Sequence, residues 1–199
     1  MRRPACVQQV VYQCRRHAPS PPASYPPNYT ARVTQQFEAR AGCYDADLSW
    51  HGPLAAAVVA AAELQPGECV LDVGCGTGLV TLAAAALVGE GGSVLGVDLS
   101  PAMLAVAKAK ARAMGLQECC AFLAADIESL HTSFAAPATR DAILCSNALP
   151  FLRDIPAALT TWRSWLRPGG RVVFNTPMVR HWCRKVQKHS ITGTFSLPC

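Results

Sequence analysis

The sequence has no run of about 18 apolar residues, so no membrane-spanning helix is expected; the apolar segment 54–62 is too short. Its ten cysteines form no C-x-x-C pair, and His17, His51, His131, His181 and His189 stand at no ligand-like spacing to them. No metal site is expected. Acidic residues are missing from both ends. Residues 1–37 hold five Arg and no acid (+5), residues 38–177 hold nine basic and 13 acidic residues (−4), and 178–199 hold four basic residues and no acid (+4). The body is therefore mildly acidic although the net charge is +5. A nucleic-acid groove needs cations gathered on a folded face and interleaved with aromatics, and basic tails do not supply one. No nucleic-acid partner is expected.

At 199 residues, half of them hydrophobic, the chain has room for one domain with a proper core. Residues 1–32 are rich in Arg, Pro, Ser and Ala, and carry Ser20-Pro21-Pro22 and Tyr25-Pro26-Pro27. Up to about Thr30 no packed element is expected. Two readings stay open for this leader: an Arg-rich, acid-poor organelle transit peptide, which implies a mitochondrion or plastid, or an ordinary disordered terminus on a cytoplasmic protein.

The most informative stretch is 70–78, Val-Leu-Asp-Val-Gly-Cys-Gly-Thr-Gly. It reads as a buried strand breaking into a tight loop, and the Ala, Leu and Val of 79–88 then suit a helix, which makes the front half of a βαβ crossover. Alternating glycines remove every second Cβ and let a ligand press on the backbone. A phosphate-cradling loop requires Gly-Lys-Ser/Thr, and no lysine lies near. A dinucleotide fingerprint requires G-x-G-x-x-G, and Leu79 stands at its third glycine, which argues against a nicotinamide-dependent dehydrogenase.

What remains, Asp72-x-Gly74-x-Gly76-x-Gly78, resembles motif I of the class I S-adenosylmethionine (SAM) dependent methyltransferases. The landmarks that follow keep the family's order. A second strand over 93–97 ends at Asp98-Leu99, where an acid at the tip of a parallel strand takes a ribose diol. Ser100 then caps a helix with Pro101 in its first turn. Met103 in that helix has two readings, a contact to adenine or a core residue. A third strand over 120–124 leads to Asp126 and Ile127; the resemblance implies that the aspartate receives the adenine amine and the isoleucine packs on the ring. A fourth strand over 141–145 ends at Ser146-Asn147-Ala148-Leu149-Pro150-Phe151, which the resemblance places opposite the transferred methyl. The amino-methylating Asn-Pro-Pro-Tyr/Phe pattern is not kept there, and the segment is closer to small-molecule, quinone-biosynthesis-like enzymes. A helix over 154–166 and an Arg167-Pro168-Gly169-Gly170 turn then lead into a fifth strand over 171–175.

The implied fold is α/β, a Rossmann-like, doubly wound and mostly parallel sheet of five strands in the order 3-2-1-4-5 over residues 33–177. The implied cofactor is SAM, with Asp72, Gly74, Cys75, Gly76, Thr77 and Gly78 at its methionine part, Asp98 and Leu99 at its ribose, Asp126 and Ile127 at its adenine, and Ser146 as a further cofactor contact. The implied partner is a small-molecule methyl acceptor. Helical spacing over 33–44 and a second helix over 54–64 precede motif I, with Tyr44, Trp50 and His51 in their connection. These three have two readings, a lid on the acceptor pocket or anchors of the helix pair. His51 is the candidate base, and Asn147 a candidate acceptor contact. Cys69, Cys75 and Cys145 read as small hydrophobes in or beside buried strands. Residues 178–199 do not follow the family's closing strand pair, so strand 171–175 is expected as an exposed sheet edge in a shortened chain. On that ground a SAM-binding module without catalytic activity is the alternative to an enzyme.

Overall fold

The computed structural model describes residues 25–46, 48–130, 138–176 and 191–196, the last segment and Thr176 by backbone alone. In chain order the elements are α1 (Tyr29–Glu38), α2 (Leu48–Ala62), β1 (Cys69–Val73), α3 (Leu79–Val88), β2 (Ser93–Asp98), α4 (Pro101–Ala113), β3 (Cys120–Ala124), β4 (Arg140–Ser146), a 3-10 turn (Leu149–Phe151), α5 (Ile155–Trp165), β5 (Leu166–Thr176) and β6 (Ile191–Ser196). They build one sheet in the order β3-β2-β1-β4-β5-β6. The first five strands run parallel in the expected order.

Both faces of the sheet are covered, which is why its strands read as continuous apolar runs. Val70, Val94, Leu144 and Val173 pack with α2 and α3, through Val58, Ala62, Ala84 and Ala85. Leu71, Val73, Ile143 and Val172 pack on the other face with Trp162 and Trp165 of α5, both fully buried. Successive side chains of a strand alternate in face, so Asp72 shares a side with Val70 and points beneath α3. That parity decides much of its chemistry. Ser100 and Asp154 cap α4 and α5, accepting the N–H groups of Met103 at 3.2 Å and Ala157 at 2.9 Å.

Five expectations are corrected. The leader does not stay unpacked to residue 30: Asn28 precedes α1, which begins at Tyr29, and the Tyr25 and Tyr29 rings lie 4.6 Å apart. Their hydroxyls donate to the Leu152 and Phe151 carbonyls, tying the start of α1 to the far end of the 3-10 turn; the transit-peptide reading concerns residues outside the described ones. Helical spacing to Tyr44 is not a helix to Tyr44, because beyond Glu38 the chain tightens into i→i+3 turns. α2 starts at Leu48 with Pro53 inside it, so Trp50 and His51 lie on its first turns and not in a loop. β5 is not an open edge: β6 pairs with it antiparallel from Arg171↔Ser196 to Thr176↔Ile191. One added strand stands where the sequence was read as having none. The family-like turn at 167–170 is a bulge, since β4 advances from Arg140 to Ala142 while β5 advances from Leu166 to Arg171, with Gly169 at φ 80°.

Candidate functional site

The carboxyl ends of β1, β2, β3 and β4 converge on a cleft of about 240 Å³, bordered on its outer side by α1 and the start of α2. The glycine loop forms its floor. Gly74, Gly76 and Gly78 all have positive φ (66°, 52° and 86°), yet they serve different ends. A Cβ on Gly74 would stand 2.3 Å from the Ala148 Cβ, so this glycine lets the β4 tip approach β1. A Cβ on Gly78 would meet Ala107 of α4 at 3.0 Å, and this residue lines neither the cleft nor the small lobe beside it. A Cβ on Gly76 would meet nothing within 4 Å. That position is bare backbone facing open space.

Asp98 holds the loop in place. Its Oδ2 accepts the Gly76 N–H at 2.8 Å and its Oδ1 accepts the Ser100 N–H at 2.9 Å. Burial pushes its pKa up, and backbone N–H groups of Ser100, Gly76 and Leu99 pull the other way. Three N–H groups do not fill the roughly four lone-pair sites of a carboxylate, which leaves room for a ligand hydroxyl. Leu99 and Met103 line the cleft beside it; Met103 is 1% exposed, so it is at once core and cleft wall. Asp126 and Ile127 line the cleft as well, but the Asp126 carboxylate is already engaged. One oxygen accepts the Glu128 N–H at 2.9 Å and the other pairs with Arg153 at 3.0 Å.

Asp72 stands apart. It is 1% exposed, accepts the Thr81 hydroxyl at 2.5 Å, and lines only a small side lobe with Cys75 and Thr77. Desolvation under α3 pushes its pKa up to about 7, against the Thr81 hydrogen bond. The same burial raises the Cys75 thiol well above its ordinary value and the Cys145 thiol to about 12, so neither is a thiolate nucleophile. Thr77 spends its hydroxyl on Asp45 at 2.7 Å, whose second oxygen binds Lys110 at 2.8 Å. Asp45 thereby fastens the turn after α1 to both the glycine loop and α4.

The residues expected at the acceptor end do meet. Tyr44 stacks on His51 with ring centroids 4.6 Å apart, and Trp50, 57% exposed, lines the same cleft. Phe37 joins them to the 3-10 turn, 6.3 Å from Tyr44 and edge-on to Phe151 at 5.1 Å. Ser146 and Asn147 lie opposite on the β4 tip. Both are fixed by Asn175 of β5, whose Oδ1 accepts the Ser146 hydroxyl at 3.2 Å and the Asn147 N–H at 3.0 Å. Its Nδ2 donates to the Leu54 carbonyl of α2 at 2.7 Å. Asn147 has φ 61°, and its Oδ1 is buried with no hydrogen-bond partner among the described residues. Sequence reasoning missed Asn175 and Asp45. The one signal for Asn175 was a polar residue closing the apolar run Val172-Val173-Phe174, the same pattern that marks Asp98; Asp45 carries no signal of its own.

A family model described as a methyltransferase domain matches residues 70–170, from β1 into the bulge of β5. The chain belongs to the SAM-dependent methyltransferase family. It is 33% identical over 154 residues to the aklanonic acid methyltransferase DauC of Streptomyces sp. (strain C5), covering 77% of this chain and 68% of that protein. To the nocamycin O-methyltransferase of Saccharothrix syringae it is 32% identical, covering 73% of this methyltransferase chain and 52% of that protein. Beyond the first of these, the chain spans about half the length of the curated relatives it matches. Among solved structures, the [4+2]-cyclase SpnF superposes with a TM-score of 0.65 at 22% identity, covering 74% of this chain and 60% of that one, a likeness of fold. An S-adenosylmethionine dependent methyltransferase from Mesorhizobium loti matches at 33% identity and a TM-score of 0.51, covering 61% of this chain and 52% of that one. Among the described residues no helix is long and apolar enough to cross a membrane.

Proposed function

We propose that the protein transfers a methyl group from SAM to an oxygen of a small-molecule acceptor by in-line displacement. The observation that carries this reading is Gly76: a side-chain-free backbone position opens into a cleft that Asp98, Tyr44 and His51 also line. SAM fits the donor half because Asp98 keeps room for a ribose hydroxyl, Ile127 and Leu99 offer apolar contact, and the first turn of α3 has N–H groups without intrahelical partners. Gly74, Cys75, Gly76 and Thr77 border the methionine end in this reading, and Asp72 supports them from below. When bound, SAM supplies an already activated methyl on a cationic sulfur.

The protein's own contribution is then mostly alignment and exclusion of water. Tyr44, Trp50 and Asn147 orient the acceptor, and His51, steadied by its stack on Tyr44, takes the acceptor proton. Oxygen is favoured because two of the relatives are named as O-methyltransferases. The non-catalytic alternative rested on an open edge beyond β5, and β6 occupies that edge. Incubation with methyl-labelled SAM and a panel of small hydroxyl compounds tests the reading, followed by mass spectrometry of the products. Labelled products are expected. Tight SAM binding with no labelled product from any acceptor overturns it in favour of a binding module.

A further inference from the structure

Three features at the acceptor end, none of them needed to hold SAM, describe the compound that belongs there. The first is the arc of rings from Phe151 through Phe37 and Tyr44 to His51, contributed by the 3-10 turn, α1, the turn after it and α2. Such a wall takes flat unsaturated faces at low entropic cost. The second is Arg40. Its guanidinium lies 5.3 Å from the centre of the Tyr44 ring, it lines the cleft, and among the described residues no carboxylate pairs with it. The other charged residues lining the cleft, Asp98, Asp126 and Glu128, are acids, and Arg40 supplies the opposite sign at the aromatic end. The third is the Asn147 Oδ1, desolvated and without a donor among the described residues, on a residue held at positive φ. A buried acceptor left unpaired in the protein is satisfied by a donor on the ligand.

We infer that the acceptor is a flat, aromatic or enolic hydroxyl compound that also carries a carboxylate: the ring lies against Phe37 and Tyr44, the hydroxyl donates to Asn147 Oδ1 until its proton passes to His51 on methyl transfer, and the carboxylate pairs with Arg40. This rests on the methyl-transfer reading of the same cleft. Arg40 sets the preference for an anion, since a planar fork over an aromatic face is well placed to bind a carboxylate with two parallel hydrogen bonds. Asn147 sets the preference for a hydroxyl, because an analogue lacking it leaves the amide oxygen unpaired.

Calorimetric titration of the full chain, with S-adenosylhomocysteine present, distinguishes these roles using three probes: hydroxynaphthoate, naphthol and naphthoate. Hydroxynaphthoate is expected to bind about tenfold more tightly than either partial analogue. Arg40→Gln should erase its advantage over naphthol, with Arg40→Lys restoring part of it. Asn147→Gly, a change the positive φ tolerates, should erase its advantage over naphthoate. Equal binding of the three probes, no binding of any, or advantages that survive both variants overturn the inference. If the probes fail while S-adenosylhomocysteine still binds, the methyl-transfer reading stands without this acceptor; if S-adenosylhomocysteine itself does not bind, that reading falls too.

Discussion

The Asp98 carboxylate accepts the N–H of Gly76 at 2.8 Å, joining the tip of β2 to the centre of the glycine loop of β1. The second tip and the loop are thus one preformed unit, and a ligand that meets one meets the other already in place. Preorganisation of this kind spares the cost of ordering a loop on binding.

Replacing Asp98 with alanine removes the proposed ribose acceptor and takes the carboxylate away from the Gly76 and Ser100 N–H groups. We expect S-adenosylhomocysteine to bind more weakly by about 1.5–3 kcal/mol, with a modest fall in melting temperature. Calorimetry on the purified variant checks this, and unchanged affinity rules out the ribose contact.

Two of the loop glycines, Gly74 and Gly76, should fail in different ways. Gly74→Ala drives a Cβ to 2.3 Å from Ala148 and should destabilise the fold by about 1–3 kcal/mol. Gly76→Ala meets open space, and its cost of about 1 kcal/mol is the positive φ alone. Gly76→Val should abolish cofactor binding in a protein that still folds. Denaturant titration and calorimetry on each variant separate the two effects.

Asp72 should make the protein less stable as pH rises from about 4 to about 7. Its folded pKa of about 7 lies above its ordinary value of 3.8, so in that window the folded state binds more protons than the unfolded one. The slope of unfolding free energy with pH is then negative. Above pH 7 the carboxylate is charged in both states and the full desolvation cost is present. Asp72→Asn keeps an acceptor for the Thr81 hydroxyl and removes the ionisation. The stability difference, variant minus wild type, should therefore grow in the variant's favour between pH 5 and pH 8. Thermal melts across that range read it directly; a gap that stays flat shows that Asp72 does not titrate there.

Asn175→Ala should remove the side-chain bonds to the Leu54 carbonyl and the Ser146 hydroxyl and leave the Asn147 N–H only its longer bond to the residue-175 backbone carbonyl, 3.3 Å. We expect a loss of about 3 kcal/mol in urea unfolding. Acceptor binding should fall further than S-adenosylhomocysteine binding, because the bonds lost hold α2 and the β4 tip and not the donor half.

The strand order and the three acids were legible because the central strands are buried apolar runs, with an acid within β1, one closing β2 and one two residues past β3. Asp98 and Asp126 could be assigned to the cleft from position alone. The pairing of Asp126 with Arg153 could not, since those two meet only after α5 is docked. Asp72 looked like its companions in the chain, and only strand parity reveals that it points beneath α3. The start of α2 was hidden by Pro53, which reads as a helix stop although it lies within the helix. β6 was hidden by the basic residues before it, yet Ile191-Thr192-Gly193-Thr194-Phe195-Ser196 carries the period-two alternation of an edge strand. The ties through Asp45 and Asn175 were illegible for a plainer reason: each joins segments far apart in the chain by one polar side chain, and no local pattern announces that.

The placement of Asn175 also orders events at the ribosome. Asp72, Asp98 and Asp126 all emerge before β4, so the donor side has its carboxylates early in translation. α2 emerges earlier still, but nothing fastens its Leu54 carbonyl to Ser146 and Asn147 until residue 175 has been made and β5 has slid in beside β4. The three acids are thus all made before the residue that ties α2 to the tip of β4.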